Sequence, residues 1–141
     1  MYLCYDCLNI LIKSKSLNKV GNTYFLWTYS ETLRKLILKY KSHSVLALGS
    51  IISSLIEEEF FTVVFEEDID YVIPIPISYK RQQERGFNQV EEILKNLNYS
   101  YLTGKRIKNT KKCVKFMIKI KEKKKLKIVF TLKKIFQVKI S

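Results

Sequence analysis

A chain of 141 residues, 47% of them hydrophobic, has room for one modest core and not for two ordinary domains. Its formal charge of +13 would point to nucleic acid, a membrane surface or an acidic ligand, but residues 1–110 carry only +2 of it, while residues 111–141 set twelve lysines against Glu122 alone. The opening stretch lacks the pattern of a signal peptide, and charge interrupts every apolar run before the ~20 residues of a bilayer span, so a cytoplasmic chain with no membrane insertion is expected.

Taken in order, the aromatic run Tyr24-Phe25-Leu26-Trp27-Thr28 predicts a strand, and Ser30 is suited to cap a helix running to about Tyr40. Leu33, Leu36, Ile37 and Tyr40 recur at three and four residues and share its apolar face, with Arg34, Lys35, Lys39 and Lys41 elsewhere. Leu46, Leu48, Ile51, Ile52, Leu55 and Ile56 predict a second helix, ending near Glu57, Glu58 and Glu59. Asp70 to Ile77 is nearly continuous apolar, as in a parallel strand buried on both faces, and Pro74 and Pro76, which donate no ladder bonds, close it. Gly86 then turns the chain, Asn88 starts a helix with Glu91 in the capping-box position, and Val90, Ile93, Leu94 and Leu97 form its stripe; Tyr99 to Leu102 open a further strand. Such an order suits an α/β domain with a mainly parallel sheet, whose ligands bind beyond the C-terminal strand ends, where Ser78 to Gln89 lie.

Three features of this stretch suit phosphate. Lys80, Arg81 and Arg85 offer a point charge and two forked guanidinium groups, and the amides around Phe87, Asn88 and Gln89 stand at a helix N-terminus. A solvated basic surface loop is the commoner explanation for such residues.

The wording itself narrows the choice. Tyr71-Val72-Ile73-Pro74-Ile75-Pro76-Ile77, a basic spacer and then Arg85-Gly86-Phe87-Asn88-Gln89 resembles the ComF/GntX family, whose members are similar to type I phosphoribosyltransferases. A weaker likeness runs back through Tyr29, Leu33, Arg34 and Leu38-Lys39-Tyr40-Lys41, and Arg106 to Thr110 looks like the start of the family's next segment. The resemblance covers about residues 1–110. It implies a type I phosphoribosyltransferase-like parallel sheet flanked by helices, incomplete at the C-terminus, in three parts: a residual zinc-ribbon-like segment (1–20), a partial phosphoribosyltransferase-like domain (21–110) and a Lys-rich tail (111–141).

It further implies phosphoribosyl pyrophosphate (PRPP) with magnesium as ligands of intact relatives, and a link to DNA uptake in competence through single-stranded DNA or the uptake machinery. Lys80, Arg81, Arg85, Gly86, Asn88 and Gln89 would be the ligand-side loop. Lys80 and Arg85 would meet pyrophosphate oxygens, Gly86 would permit close backbone approach, and Asn88 would cap the helix. The family's Asp-Asp-x-x-Thr-Thr-Gly loop, which grips the ribose and its 5′-phosphate, has no counterpart after residue 110, so transferase turnover is not expected. Relatives commonly open with two Cys-x-x-Cys pairs that bind zinc. Cys4 and Cys7 supply one, half of the four ligands zinc takes, and His43 and Cys113 are poor candidates to complete it, so a vacant or weakly held site is expected.

Residues 113–141 contain no Gly, Pro, Asp or Asn and so no turn chemistry. An AT-rich gene read in the wrong frame would produce such a tail, and that explanation ranks first. Nucleic-acid binding by lysines interleaved with Phe116, Phe130 and Phe136 ranks second, and a membrane-surface segment third. Val114 to Phe116 and Lys127 to Phe130 have strand character. Two other classes therefore stand beside the family reading: a basic nucleic-acid-binding accessory protein and a non-functional fragment of a longer enzyme.

Overall fold

The computed structural model describes residues 3–42, 45–103, 105–106, 116–117, 128–131 and 137–139, the last four ranges as backbone. His43, Cys113 and residues 107–110 lie outside the described residues. The architecture is mixed helix and sheet. Its elements are α1 (Tyr5–Ser14), β1 (Asn18–Val20), β2 (Thr23–Phe25), α2 (Glu31–Ser42), α3 (Leu46–Glu66), β3 (Val72–Pro74), α4 (Tyr79–Arg85), α5 (Gln89–Asn96), β4 (Lys105–Arg106), β5 (Phe116–Met117), β6 (Ile128–Thr131) and β7 (Gln137–Lys139).

The larger sheet runs β1-β2-β7-β6-β3. Among the described residues only β3 and β6 pair in parallel, whereas β1–β2, β2–β7 and β6–β7 are antiparallel, so the sheet is mixed and the expected mainly parallel sheet is not seen. β6 and β7 fall within residues 111–141, so the lysine-rich segment shares a sheet with β2 and β3. Val20-Gly21-Asn22-Thr23 explains the first hairpin: Gly21, at φ 57°, takes the left-handed conformation a two-residue turn requires. Residues 1–20, the expected zinc-ribbon-like segment, hold α1 and β1.

Three helices supply most of the core. In α2, Ser30 Oγ accepts from Leu33 N at 3.2 Å as a cap, and Leu33, Leu36 and Tyr40 are buried on one face with Ile37 partly so. The helix α3 runs through the acidic group to Glu66 rather than stopping there. Phe60 and Val63 continue the buried row of Ile52 and Ile56, and burying them outweighs the weak penalty of Glu57 and Glu58, which face solvent. It ends in a Schellman turn: Asp68 is left-handed at φ 48°, Asp68 N donates to Phe65 O, and Ile69 N donates to Val64 O at 3.1 Å. The end of α5 repeats the device with Asn98 at φ 56°, Asn98 N on Lys95 O and Tyr99 N on Leu94 O at 3.0 Å. Tyr99 thereby lands edge-on against Phe60, 5.2 Å between ring centres.

Val90, Ile93, Leu94 and Leu97 are all buried, as the spacing predicts, and each stabilises the fold by roughly 2 kcal/mol. The buried Ser53 Oγ lies 2.7 Å from Gly49 O and 3.2 Å from Ile93 O, joining α3 to α5 through one hydroxyl. Residues 99–102 form no strand; a single bond, Leu102 N to Val72 O at 3.0 Å, connects them to β3. Among the described residues no helix is long and apolar enough to cross a membrane.

Candidate functional site: the segment between β3 and α5

The strand β3 is buried along its length, and Pro74 and Pro76 lead the chain out of the sheet. The chain then forms a short helix and not the open loop expected. Ser78 caps α4 by accepting from Arg81 N at 3.4 Å, and Gly86, at φ 79°, closes it with its N–H on Gln82 O at 2.7 Å. The helix was hidden because all seven of its residues, Tyr79 to Arg85, lack a buried side chain and so show no apolar period. Its start and stop signals, Ser78 and Gly86, were present and could have revealed it.

Asn88 fixes the junction with α5. Its Oδ1 accepts from Val90 N at 3.1 Å, and its Nδ2 donates to Ile75 O at 3.3 Å and Glu91 Oε1 at 3.2 Å. One buried side chain therefore caps α5 and ties it to the chain leaving β3. Replacing Asn88 with alanine is expected to cost about 1–2 kcal/mol, read as a fall in the urea midpoint, and Asn88→Asp, which keeps the cap acceptor but sets a carboxylate oxygen against Glu91 Oε1 and Ile75 O, at least as much.

The six residues singled out by sequence divide into groups. Lys80 is carried on the solvent side: its side chain is 83% exposed, and Nζ lies 4.0 Å from Glu84 Oε1, a pair of little energetic consequence. Arg81 and Arg85, one helical turn apart, act on each other. Partial burial first, and the Arg81 charge second, pull Arg85 below the ordinary guanidinium value, with Glu84 opposing. A guanidinium does not lose its proton in a protein, so Arg85 remains a cation beside Arg81.

Gln89 lies against Arg85, 2% exposed, with Oε1 accepting from Arg85 Nη1 at 3.3 Å and its backbone carbonyl accepting from Tyr40 Oη at 2.8 Å. The other atom of the same amide, Nε2, is buried and has no hydrogen-bond partner. An unpaired buried donor costs about 1–3 kcal/mol, so the site holds an unmet demand for an acceptor. The periodicity of α2 marked Tyr40 as core but did not reveal this bond; its phenol beside the start of another helix could be found only in three dimensions. Phe87 packs near Tyr40, ring centres 6.0 Å apart.

Guanidinium, helix-terminal N–H and a spare carboxamide donor together suit phosphate oxygens. They do not suit magnesium, which takes oxygen ligands; of the nearby carboxylates, Glu84 faces Lys80 and Glu91 accepts from Asn88. At the far end of the chain, Cys4 caps α1, its Sγ accepting from Cys7 N at 3.4 Å. Hydrogen bonding from Cys7, thiol first and amide second, pulls the Cys4 thiol below its ordinary value and pushes Cys7 up. Among the described residues no group of three or more His, Cys, Asp or Glu stands together, so this pair offers two of the four ligands that structural zinc takes.

No family model, curated protein or solved structure matches the chain.

Proposed function

We propose that the segment from Ser78 to the start of α5 is the phosphate-binding element of a ComF/GntX-like, phosphoribosyltransferase-like protein, taking PRPP or a similarly phosphorylated ligand. The observation that carries this reading is the buried, unpartnered Gln89 Nε2 beside Arg85, which is itself pressed by Arg81. Arg81 and Arg85 supply charge, Gly86 permits close backbone approach, the amides of Phe87, Asn88 and Gln89 stand at the start of α5, and Lys80 adds a longer-range attraction. The chain works in this reading as a cytoplasmic binding protein linked to DNA uptake. Magnesium would arrive on the pyrophosphate rather than on carboxylates of this segment, and no glycosyl transfer is proposed because the ribose-gripping loop has no counterpart in the sequence.

Thermal unfolding with and without PRPP and magnesium tests the reading. A ligand at a hundredfold excess over its Kd stabilises the native state by about 2.7 kcal/mol, a rise in Tm of roughly 5–10 °C for a chain of this size. The rise is expected in the wild type and is expected to vanish in Arg85→Ala. A cooperative transition that PRPP leaves unmoved would remove the proposal. The strongly basic residues 111–141 favour a second reading, nucleic-acid binding, which predicts affinity for single-stranded DNA that falls steeply with salt and is indifferent to Arg85→Ala.

A further inference from the structure

The N-terminal end of α1 carries two sulfurs that the phosphate reading does not use. Cys4 is the N-cap, its backbone extended at φ −74° and ψ 158°, and its Sγ accepts from Cys7 N at 3.4 Å. The Cys7 thiol donates to the same sulfur. Residues three apart at a helix start stand about 5–6 Å apart at their β-carbons, and a disulfide needs about 3.5–4.5 Å, so closing the pair takes a shift of roughly 1–2 Å. Cys4 can make that shift, because its own backbone is not helical.

The opposite end of α1 is fixed. Leu11 is fully buried and its carbonyl accepts from Trp27 Nε1 at 2.8 Å. Lys15, just past the helix, donates Nζ to Leu55 O at 3.1 Å and pairs with Glu59 Oε1 at 2.7 Å. The helix is thus anchored at one end and presents the two sulfurs at the other, where Cys4, Tyr5 and Asp6 are exposed and Cys7 is half-buried.

We propose that Cys4 and Cys7 are a redox-active pair, closed to an intrachain disulfide by exchange with a low-molecular-weight disulfide and reopened by the corresponding thiol. Accessibility assigns the roles. Cys4, as its thiolate, attacks one sulfur of the reagent, forming a mixed disulfide and releasing the first thiolate; Cys7, losing its proton to solvent, then attacks Cys4 Sγ and expels the second. Two cysteine thiols give up two electrons and two protons, and the reagent's disulfide takes them up as two thiols. An exposed bridge of this kind is reversible, since exposed disulfides are the readily reduced ones. The inference is independent of the phosphate site.

The test equilibrates the full chain with mixtures of reduced and oxidised glutathione, traps free thiols with an alkylating reagent and digests with trypsin. The peptide ending at Lys13 holds Cys4 and Cys7 and excludes Cys113, so its mass reads this pair alone. In the wild type the bridged peptide, lighter by two hydrogens, is expected to outnumber the glutathione adducts at least about tenfold, because a neighbouring thiol acts at an effective concentration far above that of the reagent. Cys7→Ser is expected to stop at the Cys4 adduct, and Cys4→Ser to react at Cys7 at least roughly tenfold more slowly than Cys7→Ser does at Cys4. Serine is a good helix cap, so Cys4→Ser keeps the start of α1. The same equilibration in concentrated urea separates the fold from the spacing: the equilibrium constant for the bridge should be at least about threefold larger in the folded chain. An equal or smaller constant in the folded chain, or adducts on both cysteines with no bridge, would overturn the proposal.

Discussion

Trp27→Ala is expected to remove about 3–5 kcal/mol of stability, the usual loss when a buried tryptophan is cut back to a methyl group. Trp27 lies just beyond β2, is 2% exposed, and donates its indole N–H to Leu11 O at 2.8 Å. A second tie, Ser16 N to Leu26 O at 2.9 Å, lies alongside, so one short segment fastens α1 to the body of the protein. Removing the indole deletes its apolar contacts, leaves a cavity, and strips the buried Leu11 carbonyl of its strongest donor. Native domains are stable by about 5–15 kcal/mol in total, so the loss would consume a large share. Trp27→Phe keeps most of the ring burial and gives up the N–H, and should cost about 1–3 kcal/mol. Because Trp27 is the chain's single tryptophan, urea unfolding has to be followed by far-UV circular dichroism. A loss below about 1 kcal/mol in Trp27→Ala would show that α1 unfolds independently of the rest.

The boundary between the legible and the hidden parts of the fold is physical. Helices with a one-sided apolar period were legible: Leu33, Leu36 and Tyr40 in α2 and Val90, Ile93 and Leu94 in α5 lie buried where the spacing puts them, with Ser30 and Asn88 as caps. The end of α3 was not, because a helix apolar on nearly every side carries no phase to show where it stops, and the glutamates at 57–59 resembled a terminus. α1 escaped for a related reason: Ile10 and Ile12 are exposed beside a single fully buried position, Leu11, and the Cys-x-x-Cys wording drew attention to metal chemistry. At the candidate site, the residues named from sequence are present at the junction of β3 and α5, but their division of labour is tertiary. That Lys80 faces solvent, that Gln89 is buried against Arg85, and that Tyr40 arrives from another helix are consequences of packing between distant segments, which local spacing does not encode.

That packing has one narrow point, at Gly49, and Gly49→Val should disrupt stability and the site together. A β-carbon added to Gly49 would stand 3.0 Å from Tyr40 Oη, 3.4 Å from Asn96 Nδ2 and 3.5 Å from Tyr40 Cε2. Asn96 is exposed and can give way, but Tyr40 cannot: its side chain is 1% exposed and its hydroxyl is held by Gln89 O. Burial first, and the Glu92 charge second, raise the Tyr40 phenol far above its ordinary value, so it remains a donor through the whole range in which the protein is handled. Alanine in place of a helical glycine normally gains about 1 kcal/mol, and the tight contact should offset that gain, leaving Gly49→Ala within about 1 kcal/mol of the wild type. Valine adds two methyl groups against the same ring. Overpacking and displacement of the Tyr40 hydroxyl from Gln89 O should then cost about 3 kcal/mol by urea unfolding, and PRPP affinity should fall although residue 49 touches no ligand. Tyr40→Phe removes the atom in the way, so the double variant Gly49→Val/Tyr40→Phe should lose at least 0.5 kcal/mol less than the two single losses added together, within the ~0.5–3 kcal/mol typical of coupled neighbours. Strict additivity would mean that α3 and α2 are not braced through this contact, and the path by which the core positions Gln89 against Arg85 would have to run elsewhere.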